Sequence, residues 1–242
     1  MSNSSLVQEG LKKSGDWKYE TSAVRKSGIK FGGIKYMSFH IVADSCCELT
    51  VDMKKRGNIE IAPLTLEVGG ESILDDETFD QKYFLKRVAE CPECPKSACP
   101  SPDYFRKSFL NGAERCYAVT LSAQLSGSYN SAVLGANLAQ EENEDLKIHV
   151  FNSRSASIGE TLIVKKIVEC EEAGMSFERV VETVELYIST QHTYFVLENL
   201  ETLRKNGRLS KTKALVASAL KIKPVMLSLI HISEPTRLAL IS

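Results

Sequence analysis

The chain has 242 residues, of which 43% are hydrophobic and 25% are charged, a composition that supports one large or two modest domains with a buried core. Its 30 basic and 31 acidic residues give a formal net charge of −1, so no overall basic field favours a nucleic-acid partner. Because no segment has the roughly 18 consecutive apolar residues of a membrane span, and the N-terminus lacks the apolar region of a secretory signal, we expect a cytoplasmic protein.

Both ends of the chain differ from the part between them. Residues 1–36 are polar and show no sustained apolar period, and a strand pattern starts directly after Met37. We therefore predict that residues 1–36 form a disordered or non-native extension. Residues 227–242 end in an apolar run without a helix cap and resemble translated sequencing-adapter sequence. We predict that they are a foreign tail and assign no function to His231.

Strand and helix patterns alternate between these ends. Buried or alternating apolar runs predict strands, which lie at 39–45, 59–68, 115–122 and 147–153. Apolar periods typical of helices lie between and after them, at 79–91, 101–112, 126–142 and 156–174. Asp76 lies in the cap region of one helix, and Ser101-Pro102 opens the next. This order predicts an α/β fold with a mainly parallel sheet.

The pattern changes after about residue 176, where helix, strand, helix and helix patterns follow one another. We therefore predict an N-terminal α/β domain over residues 37–155. A smaller α/β domain, incomplete at its C-terminal end, is predicted over residues 156–226.

Polar residues end several predicted strands, at Asp44-Ser45, Ser122 and Asn152-Ser153. Open parallel sheets bind ligands beyond the carboxyl ends of their strands. The strongest local pattern is S-A-Q-L-S-G-S-Y-N-S-A at 122–132, in which Ser126, Gly127 and Ser128 lie between a strand and a helix. Backbone N–H groups, hydroxyls and the helix dipole could converge there on a carboxylate or phosphate. Ser and Gly also start helices as simple caps, so both interpretations stay open.

Cys91, Cys94 and Cys99 lie in the segment C-P-E-C-P-K-S-A-C-P-S-P. Their C-x2-C-x4-C spacing supplies three metal ligands without a fourth, and a reducing cytosol keeps thiols free. We expect free thiols, with a metal or iron–sulfur site as the alternative. No nucleophile elbow, P-loop or dinucleotide-binding loop occurs, and the scattered histidines form no metal pair, so no metal or cofactor is predicted.

Several segments together resemble one family. H-I-V-A-D-S-C-C-E-L resembles that family's opening strand and D-S turn, A-P-L-T-L-E-V-G-G its second strand, and K-S-A-C-P-S-P-D-Y-F its T-S-Q-P-S loop. L-S-A-Q-L-S-G-S-Y-N-S-A resembles its S-x-x-L-S-G-T-Y-x-S-A signature, N-S-R-S-A-S-I-G-E its D-S-x-x-x-S-x-G segment, and L-R-K-N-G-R-L-S-K its L-x-K-G-G-R-I-S-K segment. Over residues 38–226 the chain thus resembles the DegV family of bacterial fatty-acid-binding proteins.

The resemblance implies a two-domain DegV-like fold that holds a long-chain fatty acid between its domains, with no cofactor and no enzymatic activity of its own. It further implies a carrier that presents the carboxylate to a fatty-acid kinase of the dihydroxyacetone-kinase type, which forms the acyl phosphate. Such a carrier is compatible with transient contact with a membrane surface. The alternative is a small-molecule enzyme or sensor that binds a phosphorylated ligand at the serine-rich segment.

The resemblance also suggests ligand-binding residues. Ser97 corresponds to the threonine of T-S-Q-P-S, Ser126 and Gly127 to the pair that grips the carboxylate, and Arg208 to the arginine of G-R-I-S, near the site or the kinase-facing surface. The remaining candidates are residues of the matching segments, Ser45, Ser128 and Ser153.

The chain departs from the family pattern in two of these segments. Cys99 replaces the family's glutamine, and Asn152 replaces its aspartate. The family's carboxylate site usually includes a histidine from the second domain, for which we find no counterpart outside the predicted foreign tail.

Overall fold

A computed structural model describes residues 39–196 and 225–227. Its strands are β1 (Phe39–Asp44), β2 (Ile59–Ala62), β3 (Thr65–Val68), β4 (Glu71–Leu74), β5 (Lys96–Ala98), β6 (Arg115–Thr120), β7 (Lys147–Asn152), β8 (Tyr194–Val196) and β9 (Val225–Leu227). Its helices are α1 (Val51–Lys55), α2 (Gln81–Glu90), α3 (Pro102–Phe109), α4 (Ser128–Glu142), α5 (Ile158–Glu172) and α6 (Phe177–Thr190). Among the described residues no helix is both long and apolar enough to cross a bilayer.

A parallel sheet with the strand order β2-β1-β6-β7 confirms the predicted α/β fold. In its register Ile41 lies between Ile59 and Tyr117, and Tyr117 lies beside His149. Residues 40–44 and 116–120 are buried without a break, as expected for central strands that are covered on both faces.

Two hydrophobic cores cover the two faces of this sheet. On one face Ile41 and Tyr117 pack with residues of α5 and α6, among them Ile163 and Val184. On the other face the alternate strand residues pack with α3 and α4, in a cluster that contains Val42, Ala118, Phe105 and Ala132. The sheet is therefore the middle layer of three.

Both α5 and α6 pack against the parallel sheet. The sequence interpretation assigned both helices to a second domain that starts at residue 156, but their apolar residues complete the core of the parallel sheet. An amphipathic helix lies wherever its apolar face can be buried, and a period alone does not say against which sheet. The division into two domains stays a prediction.

The sequence predicted one continuous strand at 59–68, and this prediction is wrong. The segment divides at Pro63-Leu64 into β2, in the parallel sheet, and β3, which lies between β4 and β5 in a separate antiparallel sheet. The strand breaks there because proline has no N–H group to donate to a strand ladder. The apolar alternation nevertheless continues across the change of sheet, which is why the sequence predicted a single strand. β5, within the cysteine segment, and the short helix α1 were not predicted.

The helix starts follow local capping chemistry. The Ser101 hydroxyl accepts a hydrogen bond of 3.2 Å from the Tyr104 N–H, with Pro102 as the first residue of α3, which confirms the predicted start. The cap of α2 is Asp80, which accepts from the Tyr83 N–H at 3.0 Å. Asp76 instead accepts from both the N–H and the hydroxyl of Thr78.

The predicted extension at 1–36 and the helices predicted after residue 199 lie outside the described residues. Residues 225–227, at the junction with the predicted foreign tail, form β9, which pairs antiparallel with β8.

Candidate functional site

Three segments meet at the carboxyl edge of the parallel sheet, where β1, β6 and β7 end. The Asp44 carboxylate accepts a hydrogen bond of 2.9 Å from the Leu121 N–H. The Ser122 N–H donates to the Ser155 carbonyl at 2.8 Å, and the Asn152 side-chain oxygen accepts from the Ala123 N–H at 3.1 Å. These bonds fix the segment after β6 against its neighbours on both sides.

Residues 122–128, called here the serine loop, lead from β6 into α4. The helix cap is Gly127, one of the residues predicted at the helix start, and it has no side-chain cap bond. The Ser126 hydroxyl oxygen accepts from the Ser128 N–H at 3.2 Å and lies 3.2 Å from the Ser128 hydroxyl. Ser126 is half-buried and Gly127 is exposed. The first N–H groups of a helix have no intrahelical partner, so this end can receive an anion.

The cysteine segment borders the serine loop. Ser97 is exposed in β5, where it pairs with Leu66 of β3. A Cβ atom on Gly127 would lie 3.2 Å from the Cys99 sulfur, and the Ser131 hydroxyl of α4 donates to the Pro100 carbonyl. The structure thus brings Cys99, two residues after Ser97, to the same end of α4 as Ser126 and Gly127.

Three other predicted ligand-binding residues have hydroxyls engaged within the protein. Ser45 donates to Asp75 at 2.7 Å and accepts from the Leu64 N–H at 3.0 Å. Ser153, 2% exposed, accepts from the Ser155 N–H at 3.1 Å, and Ser128 is fully buried. Their geometry suits residues that hold loops in place. Arg208 lies outside the described residues.

The segment between β7 and α5 has an unusual backbone. Arg154 and Ser157 have φ angles of 50° and 57°, in the left-handed region that residues other than Gly, Asn and Asp seldom adopt. Gly159 follows in close contact, because a Cβ atom there would lie 2.0 Å from the Ser155 hydroxyl oxygen. Close packing therefore holds this strained segment beside the serine loop.

Two buried carboxyl groups lie beneath the serine loop, and the sequence interpretation missed their pairing. Asp44 and Glu160 are both 0% exposed, and their oxygens lie within 4.8 Å of one another and of the Cys46 sulfur. Burial raises the pKa of Asp44, although hydrogen bonds from Leu121, Cys46 and Ser128 oppose this rise. Burial and the charge of Asp44 raise the pKa of Glu160 well above its ordinary value. The signal available in the sequence was a glutamate in the first turn of a helix whose buried positions are otherwise mostly apolar.

The cysteines are free thiols wherever the structure describes them. Within the described residues the arrangement that brings metal-binding atoms together is Asp44, Cys46 and Glu160, and Cys91, Cys94 and Cys99 form no such group. Burial raises the pKa of Cys46 and of Cys116 to about 12, so these two thiols stay protonated at neutral pH.

Exposed apolar side chains lie at the same edge of the sheet. Leu125 of the serine loop is 37% exposed, and Ile158 and Leu162, one turn apart at the start of α5, are 55% and 39% exposed. Large apolar side chains that are left in water beside polar groups mark a surface suited to a ligand or a partner.

Comparison with known proteins identifies relatives over most of the chain. A family model described as "Uncharacterised protein, DegV family COG1307" matches residues 38–230. A DegV domain-containing protein of Streptococcus pneumoniae is 38% identical over 191 residues, which cover 78% of this chain and 68% of the relative.

Solved structures with the same fold were determined with fatty acids. A DegV family protein from Ruminococcus gnavus with vaccenic acid is 55% identical, with a TM-score of 0.74, and the match covers 79% of this chain and 68% of that one. The Streptococcus pneumoniae Fatty Acid Kinase (Fak) B3 protein, loaded with linoleic acid, is 35% identical, with a TM-score of 0.71 and coverage of 85% and 72%. A Eubacterium eligens relative loaded with heptadecanoic acid is 28% identical, with a TM-score of 0.72 and coverage of 85% and 72%.

Proposed function

The chain belongs to the DegV family, and from this premise we propose that it binds a long-chain fatty acid whose carboxylate lies at the serine loop. The observation that carries the proposal is the junction of a half-buried hydroxyl, an exposed glycine and a helix N-terminus with exposed apolar side chains at one edge of the sheet. The fatty acids in the related solved structures support the same ligand class.

We assign the polar end of the ligand to Ser126, Gly127 and Ser97. A carboxylate that leaves water must keep its hydrogen bonds or take up a proton. The Ser97 hydroxyl, the N–H groups of α4 that follow Ser128 and the Ser126 hydroxyl, once it turns from Ser128 to the ligand, can supply these bonds. Ser45, Ser128 and Ser153 act indirectly in this proposal, because Ser128 and Ser153 are buried and the Ser45 hydroxyl is held between Asp75 and the Leu64 N–H.

The apolar end of the ligand supplies most of the affinity. Burial of an acyl chain contributes about 0.8 kcal/mol for each CH2 group, whereas one net hydrogen bond contributes about 1 kcal/mol. We propose that Leu125, Ile158 and Leu162 form one wall of the acyl site. In this proposal the opposite wall belongs to the second domain that the family resemblance implies.

We further propose that the protein is a carrier that presents the bound carboxylate to a fatty-acid kinase. The printed name of the Streptococcus pneumoniae relative, Fatty Acid Kinase (Fak) B3 protein, supports this role. A kinase of the dihydroxyacetone-kinase type is the proposed partner, with Arg208 near the ligand or on the surface that faces the kinase. In this proposal the carrier has no catalytic residue.

Native mass spectrometry of the purified chain tests ligand binding, since a bound fatty acid adds a defined mass. Displacement of a fluorescent fatty acid by oleate then gives an affinity. Because the chain covers 68% of the Ruminococcus gnavus relative, a chimera that adds the remaining residues of that relative is titrated in parallel. Stabilisation by phosphate esters, with no response to oleate in either protein, would favour the alternative of a phosphorylated ligand.

Serine variants locate the carboxylate. Ser126→Ala and Ser97→Ala should each weaken oleate binding about tenfold, because a hydrogen bond to a charged group contributes roughly 1.5–3 kcal/mol. Ser72→Ala is the matched control, since Ser72 is an exposed serine in β4, on the far side of the antiparallel sheet from β5. Equal affinities for all three variants would contradict the assignment.

A further inference from the structure

The buried carboxyl groups of Asp44 and Glu160, called here the carboxyl pair, differ in their hydrogen bonds. Asp44 accepts from two backbone groups, the Leu121 N–H at 2.9 Å and the Cys46 N–H at 3.2 Å, one on each oxygen. Both oxygens of Glu160 are buried and have no partner with hydrogen-bond geometry. The pair thus joins a carboxyl group that accepts hydrogen bonds from the backbone to one that has no such partner.

Two such groups cannot both be ionised at this distance in a buried site. Like charges that share a site raise one pKa strongly, and burial acts in the same direction. The N–H donors favour a charge on Asp44, whereas both Glu160 oxygens lack a partner with hydrogen-bond geometry, and the Ser157 N–H opposes the effects of burial and of Asp44 on Glu160 only weakly. A proton on Glu160 satisfies both groups, because the neutral carboxyl can donate to Asp44.

We propose that the carboxyl pair holds one shared proton, located on Glu160, and that the ionised Asp44 so maintained positions the serine loop for its ligand. Asp44 contacts the loop at both ends, through the Leu121 N–H before it and through Ser128 at its last residue. Ser128 in turn contacts Ser126 through its N–H and its hydroxyl. Glu160 is therefore a positioning residue of the site. The ligand part of this inference rests on the proposed fatty-acid binding.

The other titratable groups around the pair do not replace this proton at neutral pH. The Cys46 and Cys47 thiols on the β1 side face Glu160, and burial raises the pKa of both. Two further carboxylates flank the segments that carry the pair and have their own hydroxyl partners. Glu48 accepts from Ser157 at the start of α5, and Asp75 accepts from Ser45.

Carboxyl NMR tests the proton without any ligand. The protein is labelled with 13C at its glutamate carboxyl carbons, and the signal that disappears in Glu160→Gln is assigned to Glu160. At pH 7 this signal should have the chemical shift of a neutral carboxylic acid. The Leu121 amide signal should shift as this group titrates at higher pH, which links the proton to the serine loop. An ionised Glu160 at pH 7, or stoichiometric zinc or another divalent cation in the purified protein, would overturn the proposal.

Thermal unfolding gives a second readout that is independent of ligand. Because the pKa of Glu160 is higher in the folded than in the unfolded protein, its proton stabilises the fold at low pH. This contribution declines as the pH rises from the ordinary glutamate value through the raised one. Glu160→Gln should remove this decline, whereas Glu60→Gln, at a half-buried carboxylate with a lowered pKa, should leave it. An unchanged decline in Glu160→Gln would contradict the shared proton.

Oleate titrations test the positioning role. Glu160→Ala and Asp44→Asn should each weaken binding about tenfold, the latter because its amide group offers N–H donors where Ser128 needs an acceptor. In the parent protein, oleate binding should weaken at alkaline pH, where Glu160 loses its proton. Glu160→Gln should remove this weakening and should restore most of the affinity lost in Glu160→Ala, since an amide can still donate to Asp44. Equal losses in Glu160→Ala and Glu160→Gln would refute the positioning role. Failure of all proteins to bind oleate, with the neutral Glu160 signal present, would refute the proposed function and leave the shared proton standing.

Discussion

Replacement of Gly135 by alanine should destabilise the protein through the contact between α3 and α4. A Cβ atom at Gly135 would lie 2.6 Å from the Pro102 carbonyl oxygen, 2.7 Å from the Phe105 Cβ and 3.0 Å from the Arg106 nitrogen. Two of these atoms belong to the backbone and the third is the first side-chain atom of a fully buried residue, so none can move by rotation of a flexible side chain. The shortest contact is about 0.8 Å below ordinary van der Waals distance, and the two helices must separate.

The expected cost follows from two opposing effects. Overpacking a well-packed core costs about 1–3 kcal/mol, while alanine gains about 1 kcal/mol over glycine in a helix interior. A net loss of up to about 2 kcal/mol should lower the melting temperature by up to roughly 8 °C in a protein of this size. Because α4 begins at the serine loop, its displacement should also weaken oleate binding.

Thermal unfolding by circular dichroism measures this loss. Asn137→Ala is the matched control, since Asn137 is exposed on the same helix and alanine has the higher helix propensity. The control should be as stable as the parent or slightly more stable. A Gly135→Ala protein that gains stability, as propensity alone predicts, would refute the close approach of α3 and α4.

Three further outcomes are expected. Gly159→Ala should lower the free energy of unfolding by about 2 kcal/mol in a denaturant titration, because its Cβ would lie 2.0 Å from the Ser155 hydroxyl oxygen; an unchanged midpoint would contradict this packing. Glu60→Gln should flatten the acid side of the profile of melting temperature against pH. Hydrogen bonding from His40 lowers the pKa of Glu60, so its contribution is present above the ordinary glutamate pKa and is lost as the pH falls through the lowered one. Iodoacetamide should modify exposed Cys99 long before buried Cys116, as peptide mass spectrometry would show, and modified protein should bind oleate more weakly because Cys99 borders Gly127.

Local chemistry in the sequence was enough to predict several elements. The apolar runs at 39–45, 115–122 and 147–153 correspond to β1, β6 and β7, because a strand covered on both faces needs continuous apolar residues. Ser101-Pro102 marked the start of α3, because a cap and a proline act within one turn of the chain. The serine loop was identified for the same reason, since its serines and glycine are adjacent in sequence.

Contacts between distant residues could not be predicted in this way. The break between β2 and β3 depends on which strands pair, and the burial of α5 and α6 depends on which sheet their apolar faces meet. Both are properties of packing, which an apolar period alone does not specify.

The sequence by itself thus determined the α/β order, the family resemblance and the position of the serine loop, because each depends on residues close together in the chain. Only the tertiary structure decided that Cys99 lies at the same helix end as Ser126, and that Asp44 meets Glu160 beneath the loop. Residues 44 and 160 are far apart in the sequence, and the fold around the parallel sheet brings them together in a buried site. Burial and mutual repulsion turn two ordinary carboxyl groups there into a pair that we expect to keep a proton.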